Sequence, residues 1–181
     1  MPVNDPAARP DLTLVLGGAR AGKSAFAEGL ARAWDQRVYV ATAVVTDDEM
    51  AERIAQHRAR RGPDWHTVEE PLDLSAVIRR ESAPRTGLLV DCLTVWLGNL
   101  MHHERDVDAA CEALLAALAS APGPVVLVAN EVGLGIVPDN AMARAFRDHA
   151  GQLNQAVGRV ANRVFFMAAG IPMTLKGPAP D

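Results

Sequence analysis

Lys23 and Ser24 close an eight-residue stretch whose residue types and spacing suit phosphate chemistry: Gly17-Gly18-Ala19-Arg20-Ala21-Gly22-Lys23-Ser24. It reads G-x-x-x-x-G-K-[ST], with an apolar run before it (12–16) and an Ala-rich segment of helical spacing after it. Glycines let successive backbone N–H groups turn inward around phosphate oxygens. A helix opening there aims the positive end of its dipole at the same anion. In such a loop Lys23 reaches the β- and γ-phosphates and the Ser24 hydroxyl ligates Mg²⁺. A plain glycine turn between a strand and a helix could share the eight letters. The strand before and the helix after favour phosphate binding.

Asp91 ends the apolar run Leu88-Leu89-Val90. Beside a phosphate loop, an acid at such a strand end helps position Mg²⁺ or its waters. The alternative is that it caps the next helix. Arg53, His57 and Arg61 recur at four-residue spacing in segment 47–61, with Glu49 one turn before and Arg58 and Arg60 flanking. Arginines beside a histidine keep its imidazole neutral and nucleophilic near pH 7, and they can hold phosphate oxygens. Attack by that imidazole on an α-phosphorus would give a covalent phosphoramidate. Spacing alone favours the plainer reading, an exposed arginine-rich helix whose histidine packs beside Ile54. Asn130-Glu131-Val132-Gly133-Leu134-Gly135 follows an apolar run and is either a site wall or a simple turn. His66, His102, His103 and His149 show no metal-ligand spacing, and Trp34, Trp65 and Trp96 read as packing residues.

The elements that must position these groups alternate along the chain. Strands are expected at 12–16, 37–42, 66–69, 87–91, 124–129 and 163–168, with a short edge run at 173–175. Several are continuous apolar runs, as in strands buried on both faces of a parallel sheet. Helices are expected at 23–34, 47–61, 72–81, 93–103, 107–119 and 139–162. Thr46 and Glu49 form a capping box at the second. His102-His103 closes the fourth, where histidine suits the dipole. The last carries Met142, Phe146, His149, Leu153, Ala156 and Val160 at three- and four-residue intervals, weakened by Gly151 and Gly158. This pattern is a single α/β domain at 11–176 with a mostly parallel sheet, between disordered tails at 1–10 and 177–181.

Composition agrees. The 181 residues suit one domain, and 49% hydrophobic with 22% charged residues is globular. A net charge of −4 argues against a broad basic face for nucleic acid. Cys92 and Cys111 sit in apolar surroundings without C-x-x-C, so buried free thiols and a reducing cytosol are expected. Residues 1–10 are polar and proline-rich, unlike a secretory leader. No apolar run approaches ~20 residues, so no membrane span is expected.

Six segments in order carry a resemblance: Gly-Gly-Ala-Arg-Ala-Gly-Lys-Ser (17–24), Val-Tyr-Val-Ala-Thr-Ala (38–43), Asp-Asp-Glu-Met-Ala-Glu-Arg-Ile-Ala-Gln-His-Arg-Ala-Arg-Arg (47–61), Trp-His-Thr-Val-Glu-Glu-Pro (65–71), Leu-Val-Asp-Cys-Leu-Thr (89–94) and Asn-Glu-Val-Gly-Leu-Gly-Ile-Val-Pro (130–138). Over residues 12 to about 176 the chain resembles the bifunctional adenosylcobinamide kinase/adenosylcobinamide-phosphate guanylyltransferases of cobalamin biosynthesis. The resemblance implies a RecA-like phosphate-loop domain, a cytoplasmic homotrimer, and two reactions. One phosphorylates the aminopropanol hydroxyl of adenosylcobinamide from ATP or GTP. The other moves GMP from GTP onto that phosphate through a covalent guanylyl-histidine. It reverses the reading of His57, which takes the family's nucleophile position beside the catalytic Lys23. The implied nucleotide contacts are Gly17, Gly18, Ala19, Arg20, Ala21, Gly22, Lys23, Ser24, Ala41, Thr42, Ala43, Arg58, Ala59, Arg60, Arg61, Glu69 and Asp91, with Ser24 and Asp91 toward Mg²⁺. Glu69 is preferred to Glu70. Ala21 and His66 depart from the family, which often has serine and arginine there. A different phosphate-loop small-molecule kinase and a nucleotide-dependent regulatory protein are the alternatives.

Overall fold

Alternation within the apolar runs sets the architecture. In the computed structural model, which describes residues 11–44, 52 and 62–180, seven strands form one sheet. They are β1 (Leu12–Gly17), β2 (Gln36–Ala41), β3 (His66–Glu69), β4 (Thr86–Asp91), β5 (Val125–Asn130), β6 (Arg163–Ala168) and β7 (Ile171–Lys176). Their order is β3-β2-β4-β5-β1-β6-β7, parallel except for the antiparallel β7. Side chains alternate between the two sheet faces. Leu14, Leu88, Val90, Val125 and Leu127 enter one core cluster, and Val15, Leu89, Val126 and Val128 enter the other.

The larger cluster packs beneath α2 (Leu74–Glu81), α3 (Leu93–His102), α4 (Val107–Ser120) and α5 (Ala141–Val160). The smaller lies under α1 (Lys23–Leu30), through Ala27 and Phe26. Asp73, Asp106 and Asn140 start three of these helices by accepting the N–H groups of Ala76, Ala109 and Ala143. The helix expected at 47–61 lies outside the described residues apart from Glu52, as does its capping pair. Residues 1–10 lie outside them too.

Two expectations need correction. The first helix, expected to reach residue 34, ends at Leu30 in a 3₁₀ turn (Ala31–Ala33), and Trp34 is extended. Its ring lies on β4, where any Cβ at Gly87 would fall 2.0 Å from it. The second concerns α5. Met142 and Val160, expected on the apolar row, are exposed, and the buried row is Ala150, Leu153, Asn154 and Val157. Small residues explain the rotation, since Gly158 brings the helix against Leu14.

All parallel strands end at one edge. There Ala41 pairs with both Glu69 and Asp91, and Gly17 pairs with both Asn130 and Met167. In open α/β sheets that edge is where ligands gather.

Candidate nucleotide site

The glycine loop joins β1 to α1 at that edge. Gly17 is buried at φ +150°, and a Cβ there would lie 2.5 Å from the Met167 carbonyl oxygen. Gly22 precedes α1 at φ +96°, and a Cβ there would lie 3.2 Å from the Gly170 Cα. Gly170 closes the β6–β7 hairpin with Ala169, both at positive φ, as a two-residue hairpin turn prefers. Its N–H donates to the Ala21 carbonyl at 3.1 Å. Gly17→Ala combines a left-side φ with a collision against backbone, so it should cost about 3 kcal/mol and lower Tm by roughly 6–12 °C. Calorimetry checks this, and an unchanged Tm would show that Met167 yields.

Lys23 is 7% exposed and its Nζ donates to the Gly18 carbonyl at 2.6 Å. Burial lowers its pKa, while the neighbouring Cys92 and Asp91 act in the opposite direction. The ammonium is therefore held close to the end of β4, across from the loop. Ser24 follows, partly buried and with no side-chain hydrogen bond among the described residues.

Asp91 accepts the Tyr39 hydroxyl on Oδ2 at 2.9 Å. Tyr39 is buried, its ring edge-on to Trp65 with centroids 6.0 Å apart. Asp91 does not cap α3. Cys92 does, its Sγ accepting the Val95 N–H. This removes the capping alternative for Asp91. Both thiols are free but only partly buried, a correction to full burial. Burial and then Asp91 push the Cys92 thiol up to about 11, so it stays protonated near neutrality and is no nucleophile.

Thr42 is buried. Its hydroxyl donates to the Cys92 carbonyl and accepts the Cys92 N–H, both at 2.9 Å. Asn99 Nδ2 donates to the Thr42 carbonyl. The Thr42 side chain thus clasps β2 to β4, and Ala41 and Ala43 are the partly buried members of that segment. Glu70 is spent locally, since its Oε1 accepts the N–H groups of Leu72 and Asp73. Glu69 ends β3 and is exposed. Glu131 follows β5, its N–H donating to the Gly17 carbonyl and its Oε1 accepting the Gly133 N–H.

The structure therefore brings Gly17–Ser24, Ala41–Ala43, Glu69 and Asp91 to one edge. His57, Arg58, Ala59, Arg60 and Arg61 lie outside the described residues. His66 begins β3 opposite Val38, three positions or about 10 Å back from the strand ends. It faces a cleft of about 400 Å³ at the other end of the strands, lined by Asp35, Arg37, Asp64 and Glu81. Sequence reasoning missed the Tyr39 tether on Asp91 and the Thr42 clasp. Alternation along 38–42 offered the only signal for them. Among the described residues no group of three or more His, Cys, Asp or Glu could hold a metal. The hydroxyl of Ser24 and the second oxygen of Asp91 are hard oxygen donors of the kind Mg²⁺ takes together with phosphates.

The comparisons with known proteins coincide with this geometry. The family model described as cobinamide kinase / cobinamide phosphate guanyltransferase matches residues 13–175. The chain belongs to that family. It is thus a bifunctional transferase, a cobinamide kinase and guanylyltransferase. Over 167 residues it is 50% identical to the bifunctional adenosylcobalamin biosynthesis protein CobP of Pseudomonas aeruginosa, covering 91% of this chain and 96% of that protein. It is 39% identical over 180 residues to CobU of Escherichia coli, covering 91% and 99%. CobU of Salmonella typhimurium matches equally. Among solved structures, a Pyrococcus horikoshii protein superposes with a TM-score of 0.59 at 7% identity, over 94% of this chain and 88% of that one. An ATPase of a bacterial type III secretion system superposes at 0.53 and 11%, over 92% and 57%. These two speak for the fold alone. No helix among the described residues is long and apolar enough to cross a membrane.

Proposed function

We propose that this cobinamide kinase/guanylyltransferase phosphorylates the aminopropanol hydroxyl of adenosylcobinamide and then guanylylates the phosphate through His57. In the first step the hydroxyl oxygen attacks the γ-phosphorus of ATP or GTP. The bond to the β–γ bridging oxygen breaks, and the hydroxyl proton leaves to a base. In the second, an imidazole nitrogen of His57 attacks the α-phosphorus of GTP and pyrophosphate departs. A phosphate oxygen of the phosphorylated acceptor then attacks the same phosphorus. The P–N bond breaks, imidazole is regenerated, and adenosylcobinamide-GDP is formed.

The family match over residues 13–175 supports this most, because that span holds both the glycine loop and His57. The loop backbone with Lys23 would hold the β- and γ-phosphates, and the arginines at 58, 60 and 61 would flank the histidine. Ala41, Ala43 and Glu69 lie at the same edge and would meet the remainder of the nucleotide, while Thr42, expected as a contact too, is fully buried and would only hold that segment in place. When bound, Mg²⁺ would offset charge on the phosphates, and Ser24 and Asp91 would hold it. Asp91→Asn should raise the Mg²⁺ concentration for half-maximal turnover by about tenfold. An unchanged titration would leave Asp91 as no more than the Tyr39 acceptor.

Homotrimeric assembly and a cytoplasmic location belong to the same reading. The edge strand β7 exposes Ile171, Met173 and Leu175, an apolar row that assembly would cover. Incubation with GTP labelled at the α-phosphate, followed by mapping of the labelled residue, tests the covalent step. A label on His57 is expected. No label during active turnover would favour direct transfer.

A further inference from the structure

Arg147, in the middle of α5, stands out among the arginines. Among the described residues it is the one that is not exposed and yet has no hydrogen-bond or ion-pair partner. Its Nη1 is shielded from water without an acceptor. Arg37 also leaves one nitrogen unpaired, but its other nitrogens meet the Arg32 carbonyl and Asp64. Arg163 pairs with Asp11 and Thr13, and Arg144 with the carbonyls of Pro138 and Asp139. A partly buried guanidinium that forgoes every protein acceptor is costly, and an anion would remove that cost.

Its place in the fold says which anion. Arg147 and Asn154 are seven residues apart, on the same helix face and separated by about 10 Å along the axis. Asn154 Nδ2 donates to the carbonyl of Asn130, at the end of β5 beside Gly17. The chain enters α5 from the loop that leaves this edge, so the helix's amino-terminal half rises beyond the strand ends. Side chains on a helix tilt toward its amino terminus, and for Arg147 that direction leads away from the level of Asn130 and beyond the strand ends. Phe146, its neighbour, packs toward Gly98 of α3. The sheet separates α5 from α1, and the phosphate cradle belongs to α1. Arg147 therefore approaches the mouth from the side opposite the nucleotide's phosphates.

We propose that Arg147 binds a phosphate monoester there, that of the phosphorylated acceptor during guanylyl transfer. This rests on the two-step reading above. Binding holds the attacking oxygen in place and needs no proton movement, since the guanidinium stays charged.

Full-length enzyme, Arg147→Met and Arg147→Lys are compared in three separate assays. These are labelling by α-labelled GTP without acceptor, phosphorylation of adenosylcobinamide, and GMP transfer to adenosylcobinamide phosphate. Loss of a charge-assisted bond should raise the KM for the phosphorylated acceptor roughly 10- to 100-fold in Arg147→Met, and less in Arg147→Lys, which keeps the charge without the fork. Labelling and the KM for unphosphorylated adenosylcobinamide should stay within about twofold, and Tm should not fall, because no protein bond is lost. An unchanged KM for the phosphorylated acceptor in an enzyme that transfers GMP overturns this inference alone. Equal loss of GTP labelling would assign the arginine to the nucleotide instead, and a fall in Tm with loss of all three activities in both variants would make it structural. Wild-type enzyme that transfers no GMP overturns the two-step reading and this inference with it.

Discussion

His57→Ala should abolish GMP transfer and any enzyme-bound GMP together, a loss of about 10⁴-fold or more, while the kinase step survives. The asymmetry follows from the two reactions. Guanylyl transfer through a covalent adduct needs a neutral nucleophile exposed to the α-phosphorus and flanked by cations, and nearby positive charge stabilises departing pyrophosphate. The kinase step passes its phosphoryl group straight to the substrate hydroxyl. The adduct should be labile in acid and more stable in alkali, as a phosphoramidate is and a serine phosphoester is not. His57→Asn repeats the test with less change of shape. An acid-labile GMP adduct at wild-type yield in either variant would move the nucleophile elsewhere. His66 would be the next candidate, although it lies three residues behind the strand ends. Equal loss of both reactions would show that they share the histidine.

Lys23→Met should lower the kinase rate by about 10³-fold without unfolding the protein. The ammonium is buried against the Gly18 carbonyl and faces Asp91, so it is already where transferring phosphoryl charge would develop. Stability should move the other way. Burial depresses the folded-state pKa below the ordinary 10.5, so the unfolded chain holds the proton more tightly. Below the folded pKa the charged lysine is a penalty, and as pH rises from there toward 10.5 the penalty is relieved. The nucleotide-free wild type should gain stability relative to Lys23→Met across that window. Denaturant titrations at neutral and high pH, with turnover measured in parallel, check both halves. Near-normal turnover in the folded variant would remove Lys23 from the chemistry.

Much of this was legible in the residues because short continuous apolar runs bounded by turn residues suit strands buried on both faces of a parallel sheet. Strand β6 was read to the residue, and β1 and β5 to within one at each end. The glycine loop was legible because its spacing encodes backbone geometry directly. The buried face of α5 was not. Alanine and glycine carry little hydropathy, so the row through Ala150 and Gly158 is outweighed by Met142 and Val160, which the structure leaves in solvent. The Thr42–Cys92 clasp joins residues fifty apart, and no local pattern announces it. Arg147 was invisible for a related reason, since an arginine inside a polar-looking helix reads as surface until its neighbours are known.

The contact between the β6–β7 turn and the glycine loop bears on timing as well as shape. Gly17 is wedged under the Met167 carbonyl, Gly22 abuts Gly170, and the Ala21 carbonyl is taken by the Gly170 N–H. A glycine-rich loop free in solution would lose much backbone entropy on closing around phosphate. Here that loss falls at the moment the hairpin docks, during folding, long before any nucleotide arrives. The cradle is thus pre-set by the last elements of the domain to be made. A nascent chain that has not yet produced the β6–β7 turn has the right eight residues without the contacts that hold their shape.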